Sequence, residues 1–226
     1  MKDHIYILEE KKKEKNLNEN KESFKKLLKH IIDCNIDSIC KTIFNALFPT
    51  DKHSYNNSGI QLSSFIKTML NDKFDEESNG NTIFMELCSK TNYLEKLAML
   101  DEDELKNLLT PDIIKKQNDK GNTALHLLLD KKQFKPTFRH KHSDDGFLKV
   151  LNVIIENADD INIQNNVNVA PLHKAIKLVY QDAFYDKFKD IKDIITKLID
   201  KRHNINIKNN NGDTPLHIVL NRKYKN

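Results

Sequence analysis

Apolar positions along this chain recur mostly at helical spacing. From Glu22 to Phe48 one stripe runs through Phe24, Leu27, Leu28, Ile31 and Ile32 and continues through Ile39, Ile43, Phe44 and Leu47. Asn35 and Asp37 predict a break between two helices, Asp37 or Ser38 capping the second and Pro49 ending it. A loop is expected from Ser54 to Gly59 and another short helix from Ile60 to Leu70. Further on, Leu148, Leu151, Ile154 and Ile155 form one amphipathic face, and Ile191, Ile194, Ile195, Leu198 and Ile199 form a second. Asp101, Glu102, Asp103 and Glu104 stand before Leu105, Leu108 and Leu109. That order suits a helix N-terminus, where carboxylates meet the positive end of the dipole, better than a catalytic acid cluster.

The two later faces lead into matching words. Asp160-Ile161-Asn162-Ile163-Gln164-Asn165 corresponds to Asn204-Ile205-Asn206-Ile207-Lys208-Asn209. A second motif follows each. Asn168-Val169-Ala170-Pro171-Leu172-His173-Lys174-Ala175 and Gly212-Asp213-Thr214-Pro215-Leu216-His217-Ile218-Val219 are two copies. Gly121-Asn122-Thr123-Ala124-Leu125-His126-Leu127-Leu128 is a third, and Gly80-Asn81-Thr82-Ile83-Phe84-Met85 is a fainter fourth without Pro or His.

These motifs resemble the ankyrin repeat, whose signature is Thr-Pro-Leu-His-x-Ala. The resemblance covers about residues 79 to 226. It implies an all-α solenoid of helix–loop–helix units, three to four of them, joined by short hairpin fingers. Thr123 and Thr214 would cap inner helices. Pro171 and Pro215 would sit in the first turn, where a missing N–H costs nothing. His126, His173 and His217 would hold neighbouring turns by hydrogen bonds. The copies depart from the family in spacing. Thr82 to Thr123, Thr123 to Ala170 and Ala170 to Thr214 are 41, 47 and 44 residues apart, against about 33 for the family. The surplus predicts insertions at Lys132 to Asp145 and at about Leu178 to Asp186, the second carrying Tyr180, Phe184 and Tyr185. Asn168 replaces a Gly, Ala170 the capping Thr, and Ala124 a Pro. The last copy stops at Asn226 without an outer helix. The expectation is either a makeshift cap over Asn221 to Asn226 or a longer natural chain.

Composition narrows the function. Hydrophobic residues are 38% and charged residues 31% of the 226 positions, a soluble balance. The net charge is only +4 and Arg occurs only at Arg139, Arg202 and Arg222, so nucleic-acid recognition by Arg forks is not expected. Cys34, Cys40 and Cys88 match no zinc or disulfide framework and are expected to be reduced thiols in a cytosolic setting. No segment has the length of a transmembrane helix, and the N-terminus lacks a signal-peptide core. Cytoplasmic placement follows, or delivery into a host cell by a specialised system.

No catalytic or metal site is predicted. Arg139-His140-Lys141-His142 has no acidic or Cys partner near it and is expected to be a solvated loop. Cys40 lies in an apolar helical stretch, where a buried thiol is the common outcome. With only five Gly there is no phosphate loop.

The organisation expected is a charged tail over residues 1–21, a helical bundle or cap over 22–75, and the repeats over 76–226. The function expected is that of a scaffold or adaptor binding another protein on the concave face, without cofactor and as a monomer. On the resemblance, that face carries Asp119, Lys120, Asn122, Asp130 and Lys131; then Asn166, Val167, Val169 and Lys177; then Asn210, Asn211, Asp213, Asn221 and Arg222, with Tyr180 as an aromatic anchor. Asn162 and Asn206 fall where ankyrin repeats can be hydroxylated. The alternative is an enzyme whose catalytic part is the N-terminal bundle or lies beyond Asn226, the repeats choosing its substrate.

Overall fold

The repeated motifs open a row of helices. Label them α1 (Ile83–Ser89), α4 (Ala124–Leu128), α6 (Pro171–Val179) and α8 (Pro215–Lys223). A second row lies between them in sequence: α2 (Glu102–Leu108), α3 (Pro111–Ile114), α5 (Ser143–Asn157) and α7 (Phe188–Asp200). These come from a computed structural model, which describes residues 67–74, 79–89, 94, 97–98, 100–130, 143–179, 188–201 and 204–223. The chain divides into two units, Met1–Leu62 and Ser63–Asn226, and every described residue belongs to the second. The charged tail, the bundle up to residue 66, Cys34, Cys40, Lys131, the Arg139–His142 loop and Tyr180 lie outside the described residues.

Local chemistry starts α2, α6 and α8 where the sequence predicts, whereas α5 begins at Ser143, inside the segment expected to be an insertion, and α3 is an added turn. Pro171 and Pro215 are the first residues of α6 and α8, a place that needs no N–H donor. The acidic run builds a reciprocal cap on α2: Asp101 Oδ1 accepts from the Glu104 N–H at 2.8 Å, and Glu104 Oε2 accepts from the Asp101 N–H at 3.0 Å. Thr82 Oγ1 accepts from the Met85 N–H at 3.2 Å at the start of α1.

Packing forms two layers. In the inner row α1 packs on α4, α4 on α6, and α6 on α8; in the outer row α2 and α3 pack on α5, and α5 on α7. Helix α4 also packs on α5, and α6 on α7, so these two units are helix pairs. The core runs between the rows through Leu125, Leu128, Val150, Leu151, Ile154, Leu172, Ala175, Ile191, Ile194 and Leu198, all buried. Removing this apolar area from water is the main force holding one unit on the next. Polar ties in the outer row repeat as well. Asn157 Nδ2 donates to the carbonyls of Lys106 and Leu109 at 2.8 and 2.9 Å, closing the end of α2. One unit later, Lys201 Nζ donates to the Glu156 carbonyl at 2.6 Å.

The faint first copy is a full member of this stack. It lacks the Pro and His, yet its finger is closed by an antiparallel bridge between Lys73 and Thr82. Phe74 N–H donates to the Asn81 carbonyl at 2.8 Å and Ile83 N–H to Asp72 at 2.9 Å.

A ladder of fingers and the candidate binding surface

Each of the three later fingers is folded by one asparagine. Asn118 Oδ1 accepts from the N–H groups of Lys120 and Asn122 at 3.0 and 2.9 Å. Asn165 Oδ1 accepts from Val167 and Val169 at 3.2 and 2.9 Å. Asn209 Oδ1 accepts from Asn211 and Asp213 at 2.9 and 3.0 Å. A carboxamide held this way acts as an extra peptide carbonyl inside the turn. The sequence showed Asn165 and Asn209 as part of a repeated word, but only the fold shows that they do the turning. Asn118 is read as the same position only once the third finger is in place.

Fingers then bond to one another through their backbones. Asp119 N–H donates to the Asn79 carbonyl at 3.0 Å, Asn166 N–H to Lys120 at 3.1 Å, and Asn210 N–H to Val167 at 3.3 Å. Side chains add a second strand to this ladder. Gln117 Nε2 donates to the Gln164 carbonyl at 2.9 Å, and Gln164 Nε2 to the Lys208 carbonyl at 2.8 Å. Asn118 Nδ2 donates to Asn81 Oδ1 at 2.7 Å, and Asn165 Nδ2 to Asn122 Oδ1 at 2.9 Å. The approach is close: a Cβ on Gly121 would stand 2.7 Å from the Asn166 backbone N. Gly121 has φ 71, and Asn168 takes the same left-handed place with φ 53. Asparagine tolerates that conformation but brings a Cβ, and the rung beside it, Asn210 to Val167, is the longest of the three.

The histidines bind one unit to the next. His126 Nδ1 accepts from the Thr123 N–H at 3.2 Å and lies 2.8 Å from the Thr123 hydroxyl. A backbone N–H can only donate, so Nδ1 is the acceptor and Nε2 carries the proton. Nε2 lies 2.9 Å from the Val169 carbonyl in the next finger, to which it donates. His173 repeats this with the Ala170 N–H at 3.1 Å and the Asp213 carbonyl at 3.1 Å. The chain folds as a stack of ankyrin-type repeats.

Burial drives the His126 pKa down to about 4, only partly opposed by the Val169 carbonyl and reinforced by the Lys174 charge. His173 is lowered for the same first reason. Lys174, an inner-row residue, donates to the His126 carbonyl at 2.6 Å and lies 3.7 Å from an Asp130 carboxylate oxygen. Burial lowers its pKa, and Asp130 counters that. Burial of the Cys88 thiol raises its pKa, so it stays protonated.

No family model and no curated protein sequence matches the chain. The chain is similar to several solved structures. One is the crystal structure of EF0377, an ankyrin repeat protein, at 16% identity and TM-score 0.45, over 88% of this chain and 92% of that one. Another is an ankyrin repeat protein from Leishmania major, at 13% identity and TM-score 0.43, over 80% of this chain and 58% of that one. A third is the ankyrin repeat domain of Bcl-3, at 14% identity and TM-score 0.33, over 84% and 92%.

The ankyrin-type frame sorts the predicted surface residues. Asp119, Lys120, Asn166, Val167, Asn210 and Asn211 are exposed at the finger tips. Asn122 and Asn166 also do structural work, Asn166 Nδ2 donating to the Asp119 carbonyl at 2.8 Å. Val169, expected to be exposed, is half-buried, because its carbonyl turns in to His126 and its N–H to Asn165. Asp130 and Lys177 are half-buried on the inner row. Asn221 is exposed on α8 with Nδ2 at 3.5 Å from Asp213 Oδ1. The Arg222 side chain lies outside the described residues. Asn162 Oδ1 accepts from the Asn204 N–H at 2.6 Å, whereas Asn206 uses its backbone N–H to donate to Asn204 Oδ1 at 3.0 Å. Among the described residues no three His, Cys, Asp or Glu side chains converge to hold a metal ion, and no helix is long and apolar enough to cross a membrane.

Proposed function

We propose that this ankyrin-type stack is a protein-binding module, a cytosolic scaffold or adaptor, that takes its partner on the finger tips and the exposed side of the inner helices. The observation that carries the reading is the division of labour at the tips. Backbone groups and Asn118, Asn165 and Asn209 hold the ladder. Lys120, Val167, Asn210 and Asn211 are left with exposed side chains that make no hydrogen bond among the described residues. A row of side chains fixed by its backbone loses little freedom when a partner docks. A mixture of amides, one Lys and one aliphatic suits a protein surface. The buried groups favour binding over chemistry too: His126 and His173 use both ring nitrogens to hold the stack, and the Cys88 thiol is buried and protonated.

The test uses the full chain as bait in lysate beside the variant Lys120→Ala, Val167→Ala, Asn210→Ala, Asn211→Ala. These changes leave every rung of the ladder in place. A protein captured by the original chain and lost by the variant is the expected result. Equal capture by both would refute the finger-tip surface.

A further inference from the structure

Two of the five glycines follow an asparagine, in Asn79-Gly80 and Asn211-Gly212. Both pairs stand at the turn of a finger, and both asparagines are exposed. An asparagine before glycine can close a ring on itself. The glycine nitrogen attacks the side-chain amide carbon, and no side chain on the glycine crowds that approach. The fold treats the two pairs differently. In the last finger the attacking group is occupied: Gly212 N–H donates to the Asn209 carbonyl at 2.9 Å, and Asn211 N–H donates to Asn209 Oδ1 at 2.9 Å. Gly121 is held in the same way, its N–H donating to the Asn118 carbonyl at 2.8 Å. The first finger has no turning asparagine; Glu77 stands at that place in the sequence. Its turn takes two successive left-handed residues instead, Asn79 at φ 56 and Gly80 at φ 70. Among the described residues neither the Gly80 N–H nor the Asn79 side chain has a hydrogen-bond partner. Asn79 is exposed although the second finger lies against it, its carbonyl accepting from the Asp119 N–H at 3.0 Å.

We propose that Asn79-Gly80 is a self-modification site, at which the folded chain slowly converts its first finger to aspartate and isoaspartate forms with water as the only reactant. The Gly80 nitrogen gives its proton to solvent and bonds to Asn79 Cγ. The Cγ–Nδ2 bond breaks, ammonia leaves with a proton taken back from solvent, and a five-membered succinimide is closed. Water then opens the ring at one of its two carbonyls. Opening at the main-chain carbonyl gives isoaspartate, whose chain runs on through Cβ and Cγ; opening at Cγ gives aspartate. The sum is one water consumed and one ammonia released, with nothing oxidised or reduced. The position gives this change a structural effect. In isoaspartate the carbonyl that answers Asp119 leaves the main chain as a carboxylate, and the chain is one atom longer. There is no slack for that atom: Gly80 is buried, and a Cβ placed on it would collide with the Asp119 carboxylate. Either product also sets a new negative charge beside Asp119. The first rung of the ladder is therefore the one that modification opens.

The experiment incubates the full chain in mildly alkaline buffer, folded and in urea, and follows both Asn-Gly pairs by peptide mass spectrometry with fragmentation that separates isoaspartate from aspartate. In urea the two pairs convert at similar rates, which sets the scale. In the folded chain Asn79 is expected to keep a rate within a few-fold of its value in urea. Asn211 is expected to fall at least about 10-fold, the effect of having to open the hydrogen bonds that hold Gly212 and Asn211. Conversion of Asn79 in the folded chain that is as slow as that of Asn211 overturns the proposal. Hydrogen exchange on the aged chain reads the rung. The Asp119 N–H exchanges faster as isoaspartate accumulates at position 79. It stays protected in an equally aged Asn79→Gly chain, which suits the left-handed turn and has no side-chain amide. Unchanged protection of Asp119 at full conversion also overturns the proposal.

Discussion

Acid should weaken this stack through His126 by an amount set by its burial. The ring has a pKa of about 4 in the folded chain against an ordinary value of 6.5. Above pH 6.5 both the folded and unfolded chains hold neutral imidazole, and the difference contributes nothing. As the pH falls from 6.5 toward 4 the unfolded chain takes up the proton first, so stability falls across that window. The full loss, reached below pH 4, corresponds to about 3 kcal/mol. The physical cause is plain in the geometry. A second proton must go to Nδ1, which is already accepting from Thr123, and the charge it adds lies near Lys174. His173 is shifted in the same direction and adds to the same window. The assay is urea denaturation over a pH series for the original chain and His126→Asn. Asparagine keeps an acceptor near the Thr123 N–H but cannot titrate and cannot reach Val169. At neutral pH the variant should be less stable by ~1–3 kcal/mol, the cost of leaving a buried carbonyl without its donor. By pH 4 that gap should have nearly closed, since only the original chain loses the histidine contribution, while the carboxylates act on both. A gap that stays constant from pH 6.5 to 4 would refute the reasoning.

Two further outcomes follow from the packing. Asn165→Ala removes the acceptor for Val167 and Val169 and the tie to Asn122; urea denaturation should show a loss of ~1–3 kcal/mol, partly restored by Asp, which keeps the acceptor oxygen. Leu172 and Leu216 hold the same motif position at 1% and 61% exposure. Leu172→Ala should cost ~2–5 kcal/mol and Leu216→Ala no more than about 0.5 kcal/mol.

Helical spacing and the Pro-Leu-His words placed most of the described elements, because each rests on a local rule. Pro171 and Pro215 start helices for want of an N–H, and Asp101 with Glu104 caps α2 from within its own turn. What depends on the neighbouring unit was not legible. The Gly80 copy looked incomplete because it lacks His and Pro, yet the ladder from Asp119 to Asn79 completes it from outside. Val169 looked exposed because a lone Val in a polar loop carries no sign that its carbonyl answers a histidine 43 residues earlier. Ile199 was assigned to an amphipathic face on periodicity alone, yet it is 46% exposed, and no period tells which member of such a stripe a neighbouring unit covers.

The same distinction explains the uneven repeat length. Leu109 to Thr123, Glu156 to Ala170 and Asp200 to Thr214 are each 14 residues apart, so matching positions on either side of these three fingers keep their spacing. The run between them carries the backbone rungs, the turning asparagines and the carbonyls that answer the histidines. One added residue there would put every rung out of register at once. The surplus over the common repeat length falls instead between inner and outer helix of the same unit, after α4 and after α6. Closing a longer loop costs little, growing only with the logarithm of its length. The fold therefore leaves one connection per unit free to change in size and charge, as the basic run near Arg139 and the aromatic run near Phe184 do, while the fingers that present Lys120, Val167, Asn210 and Asn211 keep their spacing.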